Sequence, residues 1–217
     1  MSEHEAAVSE IVSFILITGL LTACACISFA VVLPEMEKSM EASHAEDTAG
    51  RFCAMKSGID RLWIQGNPGL SSGQLFPLSS SAGTFTYGKG TKLIFNHSDG
   101  QKTVYLLSLT FEPSYLRCEN IPLSYEGGAV FWGSENLLPA SAGRTDAVLI
   151  CTAQRRENLL ANVPVAICCQ YLKKETFTDI SHLQIADAPN TEYWKRMLSE
   201  VSRITVLEYA VSVEAVP

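Results

Sequence analysis

Two glycine-containing motifs are the first candidates for chemistry. The segment GLSSG (residues 69–73) satisfies the pattern G-x-S-x-G. In that pattern a nucleophilic serine stands on a strained turn between a strand and a helix. Here Asn67-Pro68 precede the segment and QLFP follows it, so the strand–turn–helix frame is missing. We expect a flexible loop at this position and no catalytic serine.

A second segment, GTFTYGK (residues 83–89), resembles the start of a phosphate-binding loop. Gly90 occupies the place of the Ser or Thr that would hold magnesium, and no helical pattern follows to direct its amides at a phosphate. The strand-like flanks at 84–87 and 91–96 predict a hairpin that turns at Gly88-Lys89-Gly90. No nucleotide or other cofactor is therefore expected.

The remaining candidates for metal chemistry are scattered. No histidine belongs to an H-E-x-x-H pair or to a Cys-His ligand pattern; the four are His4, His44, His97 and His182. No pair of carboxylates stands out from an ordinary acidic surface. We expect no metal site and no catalytic residue, so the chain is predicted not to be an enzyme.

The seven cysteines separate into two groups. Cys24 and Cys26 lie in an apolar stretch, where cysteine packs as a small hydrophobic residue. The other five have no C-x-x-C spacing, which argues against zinc. If this region is outside the cell, one or two disulfides are expected among Cys118, Cys151, Cys168 and Cys169, and only one of the adjacent pair should face the core. The alternative is that they are buried free thiols.

Charge excludes one class of partner. The 217 residues contain 16 Lys+Arg against 23 Asp+Glu, for a net charge of −7, and the basic residues are dispersed. Affinity for a phosphate backbone requires clustered Lys and Arg, so no nucleic-acid partner is expected. The sequon Asn96-His97-Ser98 is a candidate glycosylation site if the domain is extracytoplasmic.

The element that dominates the chain is an uncharged stretch at residues 11–33, IVSFILITGLLTACACISFAVVL. As a helix it would be about 35 Å long, enough to cross a bilayer core of about 30 Å. A cleaved secretory signal is the alternative, but its apolar region is usually about 7–15 residues long and follows a basic start. The segment MSEHEAAVSE has no Lys or Arg. We therefore predict a retained, single-pass membrane helix.

The helical pattern continues past Pro34 but becomes amphipathic. Apolar residues recur at steps of three and four among polar ones; they are Met36, Met40, Phe52, Met55, Ile59, Leu62 and Trp63. A Gly-Asn-Pro-Gly run at 66–69 ends the pattern. The expected organisation is an N-terminal segment at 1–10, a transmembrane helix at 11–33, an amphipathic continuation at 34–65 and a β-rich extracytoplasmic domain at 66–217.

Alternating apolar residues indicate strands at 102–112, 129–132, 147–153, 165–172 and 204–215, and a short amphipathic helix at 191–203. Such alternation is typical of an antiparallel sheet with one covered face. The fold class is therefore predicted to be α+β, with the long N-terminal helix packed on a mostly antiparallel sheet.

The segment AAVSEIV (residues 6–12), opening directly into the apolar helix, resembles the start of archaeal type IV pilin-like proteins. The resemblance implies that a prepilin peptidase removes a short leader near Ala6 or Ala7. It also implies that Glu10, then near the mature N-terminus, meets the terminal amine of a neighbouring subunit. The alternative is an interfacial glutamate that is stabilised by the helix dipole.

The segment YEGGAVF (residues 125–131) is similar to a hairpin of many archaeal pilin-like ectodomains. The resemblance implies a surface protein whose partners are the lipid bilayer and other pilin-like subunits. Gly19 and Ala23, one turn apart, would permit close approach of a neighbouring helix. Two alternatives remain: a single-pass anchored binding module that never polymerises, and an anchored enzyme.

Overall fold

The computed structural model describes residues 3–77, 83–161, 163–186 and 189–216, apart from the side chains of residues 3–11 and 161. The helices are α1 (Glu3–Gln65) and α2 (Thr191–Leu198). The strands are β1 (Ser71–Phe76), β2 (Gly83–His97), β3 (Gly100–Pro113), β4 (Leu123–Glu126), β5 (Ala129–Trp132), β6 (Glu135–Leu138), β7 (Asp146–Cys151), β8 (Glu157–Ala161), β9 (Val165–Thr178), β10 (Ser181–Ala186) and β11 (Arg203–Ala215).

Helix α1 runs without interruption through Pro34. The chain divides within α1 into two compact units, at the step from His44 to Ala45. In the second unit, apolar residues at helical spacing lie buried against the sheet; they are Ala49, Phe52, Met55, Ile59 and Leu62. Met36 and Met40, which the pattern places on the same stripe, are exposed. The buried stripe therefore begins later than the amphipathic pattern.

The strands form one curled sheet, in the order β1-β9-β11-β7-β3-β4-β5-β6, with β2 paired to β3, β8 and β10. Every ladder between the described strands is antiparallel except β7 with β11. The parallel pair arises because the connection between β7 and β11 contains β8, β9, β10 and α2, which allows the chain to return in the same direction. The predicted α+β class, with a helix on a mostly antiparallel sheet, is confirmed.

The hairpin predicted at 84–96 is wrong. Residues Gly83–His97 form one long strand, β2, with a bulge between Lys89 and Lys92. Gly90 lies in this bulge, where a Cβ atom would come within 2.6 Å of Ser108 Cβ and 2.9 Å of Glu126 Oε1. The glycine therefore allows a carboxylate to approach the backbone, which is a second common use of glycine in strands.

Helix α2 is shorter than predicted, since it ends at Leu198 and not near Arg203. Arg203 instead opens β11, where it pairs with Asp146 on β7 and with Thr178 on β9. Its guanidinium donates two 2.7 Å hydrogen bonds to the Asp146 carboxylate, which fixes the start of the strand. Because Arg203 pairs with a strand on each side, it cannot also belong to helix α2.

The buried apolar residues form two clusters. The α1 core joins the second half of α1 to the sheet through four close aromatic rings, Phe52, Phe76, Phe85 and Phe111. The α2 core surrounds Trp194 and Leu198. Strand β3 contributes to both, because Leu107 belongs to the α1 core and Leu106 to the α2 core. The two faces of this strand are thus both covered.

Candidate functional site

The first candidate site is the surface of the apolar part of α1. Every side chain at residues 12–33 is exposed, including Phe14 at 72% and Leu16 and Phe29 at 68%. This is one helix that is long and apolar enough to cross a membrane. A signal sequence near the N-terminus would satisfy the same criteria. The described structure buries none of this surface, so it does not serve as a core helix of the domain.

Hydroxyl groups in this segment bond to the helix itself. Thr22 Oγ1 donates to the Thr18 carbonyl at 2.8 Å, and Ser28 Oγ donates to the Cys24 carbonyl at 3.0 Å. A hydroxyl without a partner is unfavourable in hydrocarbon, and donation to a carbonyl one turn back removes that penalty. The polar side chains of Thr22 and Ser28 are therefore compatible with an apolar surrounding.

Gly19 and Ala23, which the sequence predicts to admit a neighbouring helix, lie on one side of α1. They line a shallow surface groove together with Phe14, Ile15, Thr18, Thr22 and Cys26. A Cβ atom added at Gly19 would meet no atom within 4 Å. No contact among the described residues requires the glycine.

The other N-terminal predictions concern Ala6, Ala7 and Glu10. Their backbone belongs to α1, but their side chains lie outside the described residues. Leader cleavage near Ala6 or Ala7 and the assembly role of Glu10 thus stay predictions.

Asn96, the predicted glycosylation site, is the penultimate residue of β2. It pairs with Gln101 on β3 and with Ser181 on β10, and its side chain is half-buried. The Asn96 Oδ1 atom accepts a 3.4 Å hydrogen bond from Gln101 Nε2. The sequon is therefore at the end of the β2–β3 hairpin, with Ser98 exposed.

All seven cysteines are free thiols in the structure, so none of the predicted disulfides is formed. Cys169 belongs to the α1 core, whereas the adjacent Cys168 is only half-buried, in accord with the alternation of a strand. Burial raises the pKa of the Cys169 thiol to about 12 and raises the pKa of Cys151 further. A thiol held neutral in this way is a poor nucleophile.

The GLSSG segment is not a flexible loop. Ser71 and Ser72 lie in strand β1, where they pair with Gln170 and Cys169 of β9. A serine in a regular edge strand lacks the strained elbow of a nucleophile, so the structure gives this motif a pairing role. Across the described ranges, no group of three or more His, Cys, Asp or Glu residues is positioned to hold a metal ion.

The second candidate site is a cleft of about 280 Å³ between β3 and the β9–β11 pair. It forms where β7 ends, because β3 pairs with β7 at one position only, Leu106 opposite Cys151. The Thr152 N–H still donates a 3.0 Å hydrogen bond to the Tyr105 carbonyl, and no ladder joins the described strands beyond it. The sequence did not predict this cleft, since its lining residues come from strands that are distant in the chain and only the topology brings them together.

Four charged side chains of alternating sign run along the cleft. Lys102 Nζ lies 2.8 Å from Glu175 Oε2, and Lys173 Nζ lies 3.0 Å from Glu175 Oε1 and 3.2 Å from Glu208 Oε2. The hydrogen bonds from the two lysines lower the pKa of Glu175, and those to Glu175 and Glu208 raise the pKa of Lys173. These contacts therefore favour the charged forms of Glu175 and Lys173.

Lys89 is the third ammonium group in the cleft. Its Nζ atom lies over the Tyr105 ring, 4.6 Å from the centroid. No described carboxylate lies within ion-pair distance of it. A cation over an aromatic face gains a modest electrostatic attraction without being neutralised. With Lys89 included, three ammonium groups and two carboxylates line the cleft, so the lining carries one excess positive charge.

Comparison with known proteins found no family model, no curated protein and no solved structure that matches this chain.

Proposed function

We propose that the protein is a membrane-anchored, pilin-like surface protein, a subunit or minor component of a type IV pilus-like filament. The observation that carries the proposal is the exposure of every residue from 12 to 33 on a helix whose later part is buried in the α1 core. Such a long, contiguous apolar surface requires a lipid or protein partner. The resemblance of AAVSEIV to archaeal pilin-like N-termini indicates which partner.

In this proposal the apolar segment serves twice. It anchors the single-pass protein in the bilayer, with the β-domain on the extracytoplasmic side, and it later packs against copies of itself in the filament core. Other subunits and a prepilin peptidase are the implied partners. Close approach of a second helix is easiest at Gly19 and Ala23, since small residues allow backbones to make van der Waals contact in the absence of a hydrophobic driving force.

N-terminal sequencing of the native protein tests the peptidase step. Loss of the first five or six residues is expected, which would leave Glu10 near the new amine. A mature chain that retains Met1 would contradict the proposal. That result would favour the alternative, a single-pass binding module that does not polymerise, for which the charged cleft between β3 and β9–β11 is the specific observation.

The substitution Glu10→Gln tests the assembly step. A carboxylate at the edge of hydrocarbon is unfavourable until it meets a cation, so its removal should leave membrane insertion intact but lower the filament yield by about tenfold. Filament yield is measured by electron microscopy and by sedimentation of sheared surface material. Glu35→Gln, at the far end of the apolar segment, is the matched control. An unchanged yield for Glu10→Gln would remove the assigned role.

A further inference from the structure

We propose that the cleft between β3 and β9–β11 is a binding site for a polyhydroxylated carboxylate, that is, a sugar acid such as a uronic acid. This inference does not depend on filament assembly, because every residue that lines the cleft belongs to the unit that begins at Ala45.

The size of the cleft restricts the ligand to a small molecule. A volume of about 280 Å³ is at the lower end of the range for ligand pockets, which is about 300–1,000 Å³. One sugar ring with its substituents fits this volume, whereas a folded peptide does not. The cleft is also open on one side, which permits a ring at the end or in the middle of a longer glycan to enter.

The charge of the lining requires an anionic group on the ligand. Lys102 and Lys173 share the carboxylates of Glu175 and Glu208, but Lys89 has only the Tyr105 ring as a described partner. A ligand carboxylate placed at Lys89 would neutralise the excess charge and form a charge-assisted hydrogen bond. In a chain of net charge −7, an uncompensated ammonium group inside a cleft is a local exception.

The two carboxylates of the cleft distinguish a sugar acid from a simple anion. Glu175 and Glu208 can accept hydrogen bonds but cannot donate them while ionised. They would repel sulfate, which offers acceptors alone, and the doubly charged phosphate ion, which offers a single hydroxyl, but they suit the several donating hydroxyl groups of a sugar acid. Thr152 adds a hydroxyl, and Val206 adds an apolar wall for the face of a sugar ring. The lining thus offers one cation, several acceptors and an apolar surface.

The test is isothermal titration calorimetry on the full-length protein in a detergent without a sugar headgroup. We expect D-glucuronate to bind with a Kd on the order of 1 mM, and D-glucose and inorganic phosphate to bind at least about tenfold more weakly. Failure of D-glucuronate to bind at about 20 mM, or equal binding of glucose or phosphate, would overturn the proposal.

Variants assign the binding to the cleft. Lys89→Met keeps the length of the side chain over Tyr105 but removes the charge, so it should weaken glucuronate binding by about tenfold, whereas Lys89→Arg should retain it. Lys174→Met is the matched control, because Lys174 is an exposed neighbour of Lys173 outside the cleft and its loss should change Kd less than about twofold. Equal losses in Lys174→Met and Lys89→Met would refute the assignment.

A second titration, with a uronic-acid polymer such as alginate, distinguishes a free sugar acid from a sugar acid within a polysaccharide. Binding of the polymer as well as the monosaccharide would identify a surface polysaccharide as the ligand. Binding of the monosaccharide alone would identify a free sugar acid. Both outcomes support the site, whereas binding of the polymer that persists in Lys89→Met would contradict it. Tryptophan fluorescence in urea confirms that each variant is folded.

Discussion

Glu126 is a buried carboxylate, 1% exposed, at the last position of β4. Its Oε1 atom accepts hydrogen bonds from the Thr91 N–H at 3.0 Å and from Thr91 Oγ1 at 2.6 Å. Its Oε2 atom accepts from Trp194 Nε1 at 3.1 Å and from Asn190 Nδ2 at 3.4 Å. One side chain thus connects the bulge of β2 to helix α2, through four donors that carry no positive charge.

We expect Glu126→Ala to lower the free energy of unfolding by about 2–5 kcal/mol, because it leaves several buried donors without an acceptor. Urea denaturation followed by tryptophan fluorescence measures the change, and the exposed Glu135→Ala is the control, with an expected effect below about 0.5 kcal/mol. A loss for Glu126→Ala no larger than that of the control would show that the network contributes nothing to stability.

Sequence could predict the turn at this place but not the role of the glutamate. Gly127 and Gly128 have φ angles of 57° and 107°, and the GG pair indicates such a turn directly. Thr91 and Trp194 are 35 and 68 residues away from Glu126, and no local pattern relates them. The same limit applies to the cleft, in which Lys102 and Glu175 are 73 residues apart.

The buried thiols predict a loss of stability at alkaline pH. The ordinary thiol pKa is 9.0, while burial raises the pKa of Cys169 to about 12 in the folded chain, and burial also raises the pKa of Tyr209. Between pH 9 and 12 the unfolded chain loses a proton that the folded chain retains. The free energy of unfolding is therefore undiminished below pH 9 and falls as the pH rises through this window, by up to about 1.4 kcal/mol per pH unit for each thiol.

Urea midpoints at pH 8, 10 and 11 check this dependence. Cys169→Ala should reduce the slope of stability against pH, and Cys118→Ala, outside both cores, should not. A midpoint that stays constant or increases with pH would contradict the sign of the effect.

At the scale of elements, helix α1 was well predicted because its signals are local. An uncharged run indicates its first half, helical spacing of apolar residues indicates its second half, and a Gly-Asn-Pro-Gly run ends it. The expected end at residue 65 therefore coincides with the observed end at Gln65. The prediction for the region of strand β2 failed because the signals that determine this strand are not local. Its glycines resemble turn residues, but Gly90 is required by the approach of Ser108 and Glu126, and Gly88 by the approach of the Arg155–Arg156 backbone.

The strands that the sequence missed, β1, β6, β8 and β10, are short and lie at the margins of the sheet. Strand β10 has no buried residue, and in β1 only Phe76 is buried. Period-two alternation arises from burial of one face, so strands that bury little surface leave a weak pattern. Their positions are determined by pairing partners, not by their own composition.

The first half of α1 yields a prediction for the helix as an assembly element. A Cβ atom at Gly19 meets no described atom within 4 Å, so Gly19→Leu adds bulk to the groove next to Ala23 without a clash at that atom. We therefore assign an effect on filament yield to contacts with a neighbouring helix. We expect membrane insertion to be unchanged and filament yield to fall by about tenfold or more, because a larger side chain separates the packed helices. Ala25→Leu places the same side chain away from the groove-lining residues and should have little effect. Equal yields for both variants would remove Gly19 from the proposed interface.

At the scale of the whole molecule, hydrophobic surface is divided unevenly between the two units. All members of the α1 and α2 cores lie at residue 49 or later, whereas residues 12–33 bury nothing in the described structure. The positive mean hydropathy of the chain is therefore not a property of its folded domain. The apolar part and the globular part should be separable.

A chain that begins at residue 35 tests this separation. It retains every core residue, so we expect it to be monodisperse without detergent, to show the near-ultraviolet circular dichroism of the full-length protein and to unfold cooperatively in urea. A chain that begins at residue 11 is the matched control, because it lacks the N-terminal segment but keeps the apolar helix, and it should still require detergent. If the chain from residue 35 aggregates, residues before 35 contribute to the fold of the domain. If the full-length chain is itself monodisperse in plain buffer, the exposed helix has no need of lipid or of a neighbour, and the proposed anchor would have to be abandoned.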